Sequence, residues 1–369
     1  MMIKLSKAQL ARLWLQCAPM SAWNKLHQLL EKYGSAQALW DDFTPAHYEL
    51  LGPEAFSFLA DSRANHCAAI IRALNETGAY PVFSGEDGYP AALSTLERPP
   101  DVLFVRGTLP RAEVPAVAIV GARACTRYGL NQSRRIAREL GRAGVCVVSG
   151  LARGIDASAH QGALEGGGPT VAVLGSGVNR VYPPENKDLA QRILDSGGAI
   201  VSELHPEATP LAYHFPVRNR IIAGLSQALL LIEARRKSGT HTTVQYALDQ
   251  GKEVFALPGN VDAPGSELPL MLLKEGAGLC ACGEDILSAM GWLEKPKQER
   301  FLTEESREES GPEPSDPILR ALALEEKTLE ELIRDTGMTA GELGTQLTLL
   351  EISGKIERRA GRAYALVRT

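Results

Sequence analysis

The amino-acid sequence predicts an α/β fold: a doubly wound, Rossmann-like parallel sheet between a small all-α N-terminal domain and a winged-helix C-terminal domain. Three observations predict it. Short apolar runs alternate with helix-like segments through the middle of the chain, several of these runs end in glycine-rich turns, and two capping boxes open short helices near the C-terminus.

The middle of the chain, residues 76–293, contains the predicted sheet. The candidate strands are 116–120, 145–149, 170–174, 198–202, 228–232 and 253–257. Helical patterns lie between them, as at 127–142 and 239–250, and a connector at 76–110 holds one or two short strands. Strands that alternate with helices form a parallel sheet, because each crossover helix returns the chain to the same edge.

Four turns that follow these strands are suited to binding anions. They are Gly121-Ala122-Arg123, residues 149–154, Gly175-Ser176-Gly177, and Ser238-Gly239-Thr240. Strand ends in a parallel sheet share one edge, where free N–H groups at helix N-termini attract phosphate. The turn at 175–177 lacks the third glycine of a dinucleotide fingerprint, and no Walker A lysine is present. The sequence therefore favours a phosphate backbone as ligand, and we expect no cofactor.

Composition bounds the class of protein. The net charge of −5 argues against nucleic-acid binding through bulk positive charge, although region 101–290 is close to neutral and its basic residues are mostly arginine. No uncharged apolar run approaches the length of a membrane span and no signal sequence is evident, so we expect a cytoplasmic protein. The 6 cysteines are scattered, which predicts neither a disulfide framework nor a metal site.

Two flanking domains and a linker complete the predicted organisation. They are a helical domain at 1–75, a charged linker at 294–316 and a winged-helix domain at 317–369. The capping boxes join Thr328 to Glu331 and Thr339 to Glu342. The second helix, 339–350, contains no Lys or Arg, which argues against a winged-helix transcription regulator and favours a protein-contact or auxiliary DNA role.

An aromatic residue, two arginines and an amide begin the helix that follows strand 198–202. They are Phe215, Arg218, Asn219 and Arg220. Arginines in a first helical turn oppose the helix dipole unless an anion lies nearby, and an aromatic ring can stack on an unpaired base. The alternative interpretation places Phe215 in the core and pairs the arginines with Glu203 and Glu233.

Acid–base chemistry has one candidate pair. Asp156 and His160 stand four residues apart on one predicted helix face. Because no partnered nucleophile accompanies them, we interpret Asp156 as a helix cap and His160 as structural. The sequence therefore predicts no catalytic residue.

Long motifs in the middle of the chain resemble the DNA-processing protein A (DprA/Smf) family. They are VAIVGAR at 117–123, VVSGLARGIDASAH at 147–160, GSGVNRVYPPEN at 175–186, FPVRNRIIAGLS at 215–226 and VFALPG at 254–259. The resemblance spans about 85–290 and implies an extended Rossmann domain that carries DNA binding and dimerisation, with a sterile-alpha-motif-like domain before it and a winged helix after it.

The resemblance also implies a function. It implies a non-catalytic, homodimeric single-stranded DNA-binding protein that protects incoming DNA in natural transformation and loads the RecA recombinase while displacing single-strand-binding protein. Two positions depart from the family pattern: Ala122 replaces a hydroxyl residue, and His241 replaces an aliphatic residue.

The predicted DNA-binding residues combine the turns, the helix start and the resemblance. They are Gly121, Arg123, Gly150, Arg153, Gly154, Phe215, Arg218, Asn219, Arg220, Lys237, Ser238, Gly239 and Thr240. The rival hypothesis is a nucleotide phosphoribohydrolase-like enzyme, which shares a related core and would need Glu203 or Glu233 as a working carboxylate.

Overall fold

In the computed structural model, the described residues are 3–60, 63–293, 317–322, 327–352, 355–358 and 363–366. The chain divides into two compact units, Met1–Glu294 and Lys295–Thr369. The predicted linker 294–316 lies outside the described residues. The predicted domain boundary between residues 75 and 76 stays a prediction, since both sides belong to the first unit.

In the described part of the first unit, six α-helices come first, followed by alternating strands and helices. The N-terminal helices are α1 Lys7–Gln16, α2 Trp23–Tyr33, α3 Ala36–Asp42, α4 Tyr48–Leu51, α5 Pro53–Ala60 and α6 Arg63–Thr77. The strands are β1 Tyr80–Phe83, β2 Val102–Gly107, β3 Ala116–Val120, β4 Cys146–Ser149, β5 Thr170–Val173, β6 Ala199–Ser202, β7 Ala228–Leu231, β8 Glu253–Ala256 and β9 Gly278–Leu279. The remaining helices are α7 Arg127–Arg142, α8 Ile155–Glu165, α9 Lys187–Asp195, α10 His214–Gly224, α11 Gly239–Asp249, α12 Glu267–Lys274 and α13 Gly283–Ala289.

The nine strands form one sheet in the order β1-β2-β6-β5-β4-β3-β7-β8-β9. Strands β3 to β9 pair in parallel, and helices cover both faces. Helices α10, α11 and α12 pack on one face, whereas α7, α8 and α13 pack on the other. The predicted doubly wound fold is therefore confirmed, and each of the six predicted strands lies within a residue of its expected position.

Two strands differ from the expected parallel sheet. Strand β2 runs antiparallel to β6, and β1 runs antiparallel to β2. An antiparallel neighbour needs no crossover helix, so the connector at 76–110 can extend the sheet directly. The added strand places Val102 and Phe104 in a core cluster with Leu13 of α1 and Leu74 of α6. The extension thus gives the N-terminal helices an apolar surface on which to pack.

Polar contacts also join helix α1 to the sheet. Arg12 Nη2 lies 2.6 Å from Asp101 Oδ1. Gln16 Nε2 donates to the backbone oxygen of Glu203 at 2.9 Å, and Gln16 Oε1 accepts from the N–H of Val102 at 3.3 Å. Because Glu203 follows β6, helix α1 contacts the strand-end edge of the sheet.

The described residues of the second unit form three helices and a small antiparallel sheet. Its elements are α14 Pro317–Ala321, β10 Lys327–Thr328, α15 Leu329–Thr336, α16 Ala340–Ile352, β11 Ile356–Arg358 and β12 Ala363–Leu366, with strand order β10-β12-β11. Both capping boxes are present: Thr328 N–H donates to Glu331 Oε2 at 2.8 Å, and Thr339 N–H donates to Glu342 Oε2 at 3.1 Å. The predicted winged-helix arrangement is confirmed. Within the described residues, no helix is both long and apolar enough to cross a membrane.

Helices α7 and α8 approach each other closely because α8 presents glycine to α7. A Cβ on Gly162 would overlap the backbone oxygen of Arg134. Hydroxyl groups bridge the same interface: Ser158 Oγ donates to the Leu130 oxygen at 2.7 Å, and Ser133 Oγ donates to the Ile155 oxygen at 3.1 Å. This close contact fixes the first turn of α8 beside β4, at the edge where the predicted binding residues lie.

We expect Gly162→Ala to lower the free energy of unfolding by ~1–3 kcal/mol, because the added methyl group forces the two helix backbones apart. Helix propensity alone would act in the opposite direction by ~1 kcal/mol. Denaturant unfolding measures the difference. The control is Gly265→Ala, where the nearest side-chain atom is 3.4 Å from the added Cβ and we expect a change within ~0.5 kcal/mol. A Gly162→Ala protein as stable as the parent would contradict this packing.

Candidate nucleic-acid interface

The ends of β3 and β7 lie side by side at the point where the strand order reverses. In open α/β sheets, this switch point forms the crevice that receives ligands. Here the N–H of Ala122 donates to the backbone oxygen of Glu233 at 2.7 Å, and Thr240 Oγ1 of α11 donates to the oxygen of Gly121 at 3.2 Å. The turn after β3 and the start of α11 are therefore in contact.

A carboxylate of the protein itself occupies the N-terminus of α7 in this crevice. Glu233 is 6% exposed, and its carboxylate accepts from Thr126 N–H at 2.8 Å and from Thr126 Oγ1 at 2.5 Å. A Cβ on Gly129 would come within 2.5 Å of the same carboxyl group. A helix N-terminus that would otherwise attract a phosphate is thus already capped.

A second buried carboxylate, that of Asp156, binds the turn after β4. Asp156 is buried, and its Oδ2 accepts from the N–H of Gly150 at 3.2 Å. Burial raises the pKa of Asp156, an effect opposed by the charge of Arg218. His160 is buried too, with Nδ1 2.7 Å from Thr170 Oγ1, and burial lowers its pKa to about 3. His160 is structural, as interpreted from the sequence, but Asp156 is not a helix cap: Gly154 is the N-cap residue of α8, and the Asp156 carboxylate binds the preceding turn instead.

Helix α11 begins differently. Within the described residues, no side chain caps its N-terminus, where Ser238 is the N-cap residue. An open cavity of about 610 Å³ lies at this end of the helix, lined by Arg236, Lys237, Ser238, Gly239 and His241. His241, one of the two positions that differ from the family pattern, thus lines this cavity. Two cationic side chains beside an uncapped helix N-terminus can hold a phosphate group.

Phe215 and Arg123 come together across the strand ends. The guanidinium carbon of Arg123 lies 5.1 Å from the centre of the Phe215 ring, within the range of a cation–π contact. A Cβ on Gly175 would lie 2.7 Å from a carbon of this ring, so the turn after β5 needs glycine to admit it. Gly154, with φ +77°, brings the turn after β4 against the backbone of Arg123.

Arg218 lies beneath this surface rather than on it. It is 5% exposed, and its Nη1 donates to the oxygen of Gly150 at 3.0 Å and also to the oxygen of Val173. Burial lowers the pKa of Arg218 to about 10, opposed by Asp156, so the side chain stays charged at neutral pH. Its guanidinium carbon is 5.9 Å from the Phe215 ring centre. Arg218 therefore ties α10 to the ends of β4 and β5.

The other two arginines of the predicted site pair with acids. Arg220 binds the buried carboxylate of Glu203 through two hydrogen bonds, at 3.0 and 2.5 Å. Burial raises the pKa of Glu203, and the charge of Arg220 opposes that rise. Arg153 pairs with Glu185 at the exposed rim. Asn219 is partly buried on α10. The alternative interpretation is thus right that Arg220 pairs with Glu203, but Glu233 binds Thr126 instead of an arginine.

Sequence reasoning missed one aromatic residue at this edge. The Tyr182 ring lies 5.8 Å from that of Phe215, with 52° between the ring planes. Tyr182 is 36% exposed and belongs to the loop that follows β5. Its place within the motif at 175–186, directly after a strand end, was the available signal.

Comparisons with known proteins agree with the resemblance seen in the sequence. Residues 81–291 match the family model of DNA recombination-mediator protein A, and residues 303–362 match that of the DprA winged helix domain. Protein Smf of Escherichia coli is 40% identical over 272 residues, which cover 73% of this chain and 72% of that protein. DNA processing protein DprA of Streptococcus pneumoniae is 41% identical over 210 residues, covering 57% of this chain and 74% of that protein.

Two solved structures are similar as well. The X-ray structure of DprA from Streptococcus pneumoniae matches with a TM-score of 0.62 and 32% identity, covering 78% of this chain and 98% of that one. A Helicobacter pylori DNA processing protein A, whose structure concerns its single-stranded DNA binding mode, matches with a TM-score of 0.52 and 28% identity over 57% of this chain and 95% of that one. The chain therefore belongs to the DNA-processing protein A (DprA/Smf) family of DNA recombination-mediator proteins.

Proposed function

We propose that this chain binds single-stranded DNA at the strand-end edge of its sheet and acts without catalysis. The observation that carries the proposal is the placement of Arg123 over Phe215, beside the uncapped N-terminus of α11. Arg123 supplies a positive charge for a phosphate, Lys237 and the first turn of α11 supply a second anion site, and Phe215 supplies a ring beside a base. The similar Helicobacter pylori protein, whose structure concerns a single-stranded DNA binding mode, supports the same ligand.

Most of the predicted site residues fall into three groups under this proposal. Four residues face the bound DNA. Arg123 lies over the Phe215 ring, and the cavity at the start of α11 is lined by Lys237, Ser238 and Gly239. Gly121, Gly150, Gly154, Arg218 and Thr240 shape the edge through internal contacts. Arg153 and Arg220 contact the DNA only through those guanidinium N–H groups that are not bonded to their acidic partners, Glu185 and Glu203.

The proposed partners follow from family membership. We infer that the protein works in the cytoplasm as a homodimer, protects incoming DNA during natural transformation, and loads RecA onto strands coated with single-strand-binding protein. A protein that holds a strand through its phosphates and a few bases leaves the remaining bases open for a recombinase.

We expect Arg123→Ala to weaken binding of a labelled single-stranded oligonucleotide across all sequences, because a phosphate contact is lost. The slope of log K against log salt concentration should become shallower by ~0.7. Fluorescence anisotropy at several salt concentrations measures both quantities. Arg142→Ala is the control, since Arg142 is exposed at the far end of α7. Equal affinity and slope for Arg123→Ala and the parent would contradict the assignment of Arg123.

We expect no release of free base when the protein is incubated with nucleoside monophosphates. The rival enzyme needs a working carboxylate, and here Glu203 is bound to Arg220 while Glu233 is bound to Thr126. Chromatography of the reaction mixture detects free base. Base release by the parent that disappears in Glu203→Gln would favour the phosphoribohydrolase.

We expect the protein to accelerate RecA filament formation on DNA coated with single-strand-binding protein, and Arg123→Ala to lose this effect in proportion to its lost DNA affinity. The DNA-dependent ATPase of RecA provides the readout. No acceleration by the parent protein, under conditions where it binds the strand, would leave DNA binding intact and refute RecA loading.

A further inference from the structure

We propose that Tyr182 is a base-stacking residue that gives the site its preference for unpaired strands; this inference rests on the proposed DNA binding. Tyr182 and Phe215 form an aromatic pair at the strand-end edge, with ring centres 5.8 Å apart. They come from different elements, the loop after β5 and helix α10. The two rings together make a wider aromatic surface than Phe215 provides alone.

The surroundings of Phe215 are already occupied by protein. Arg123 lies over its ring, Arg218 lies 5.9 Å from the ring centre, and the backbone of Gly175 packs against its edge. Phe215 is accordingly only partly exposed, whereas Tyr182 is 36% exposed. The aromatic surface open to a base therefore belongs mainly to Tyr182, with Phe215 as its support.

The loop that carries Tyr182 is held on both sides. Before it, Ser176 Oγ donates to the oxygen of Arg180 at 2.5 Å. After it, Glu185 pairs with Arg153, and Asn186 Nδ2 donates to the oxygen of Leu151 at 2.9 Å. The first contact braces the loop internally, and the contacts of Glu185 and Asn186 fasten it to the turn after β4. A ring held in place before binding loses little conformational freedom when a base stacks on it.

The geometry favours unpaired bases for a chemical reason. A base in a duplex has its faces covered by neighbouring base pairs, whereas a base in a single strand can be turned outward onto a ring. Phosphate contacts alone do not make this distinction, because both forms of DNA carry phosphates. Tyr182 thus adds discrimination between single strands and duplex to a site whose charges are provided by Arg123 and Lys237.

The test compares a thymidine oligonucleotide with an abasic oligonucleotide of the same length, which keeps the phosphates and lacks the bases. We expect Tyr182→Ala to weaken binding of the thymidine strand by about 5- to 50-fold, as loss of one stacked base would. Binding of the abasic strand should stay within about twofold of the parent, and the salt slope should not change, because no phosphate contact is removed. Tyr182→Phe, which keeps the ring, should bind both strands as the parent does.

Two further variants separate stacking from structure. Tyr80→Ala is the matched control, since Tyr80 is also 36% exposed but its hydroxyl bonds to Gly107 at the opposite end of the sheet. Tyr182→Leu retains an apolar side chain without a ring, so it should lose affinity for the thymidine strand even if the alanine variant fails to fold.

The outcomes are distinct. If the parent binds the thymidine strand and Tyr182→Ala and Tyr182→Leu bind it equally well, stacking by Tyr182 is refuted while DNA binding stands. If the variants lose affinity for both strands alike, Tyr182 is structural and the inference is also refuted. If the parent binds neither strand, the proposed function itself fails.

Discussion

One buried carboxylate organises the centre of the strand-end edge. Glu233 follows β7. Its backbone oxygen accepts a hydrogen bond from Ala122 in the turn after β3, and its carboxylate accepts one from Thr126, the N-cap residue of α7. A buried N–H group without a partner costs free energy, so a carboxylate at this point stabilises both the turn and the helix. The same contact fills the crevice in which related sheets hold a nucleotide. The anion contacts proposed above therefore lie farther out, at Arg123 and the start of α11.

A second pair of buried charged groups, Asp156 and Arg218, organises the neighbouring strand end, that of β4. Asp156 closes the turn after β4, and Arg218 reaches from α10 to the carbonyl oxygens of Gly150 and Val173. Buried charges persist only where polar partners surround them. These contacts fix the ends of β4 and β5 relative to α10, and they hold Phe215, three residues before Arg218, at the surface. The partly exposed Phe215 is therefore positioned by two buried polar side chains, those of Asp156 and Arg218.

The sequence was sufficient to predict the sheet, the strand limits, both capping boxes and the winged helix, because each depends on periodicity or on residues a few positions apart. It was also sufficient to place the turns at one edge. The arginine partners were predicted only in part. The alternative interpretation anticipated the pairing of Arg220 with Glu203, whereas the pairing of Arg153 with Glu185 joins residues from different loops, whose course no local pattern determines. The Tyr182–Phe215 contact escaped prediction for the same reason. A strand was expected in the connector at 76–110, but its antiparallel pairing with β6 was not.

The capping of the α7 N-terminus by a carboxylate of the protein also bears on competition inside a cell. A nucleoside monophosphate offers one phosphate group and one base, and the crevice at the switch point, where a nucleotide would bind, already contains Glu233. For a strand bound as proposed, the remaining contacts are spread along the sheet edge, and each grips only part of a nucleotide. Linked contacts reinforce one another through a high effective concentration that a monomer cannot exploit. Under the proposed binding, the edge discriminates by polymer length, so that abundant mononucleotides compete weakly with a scarce DNA strand.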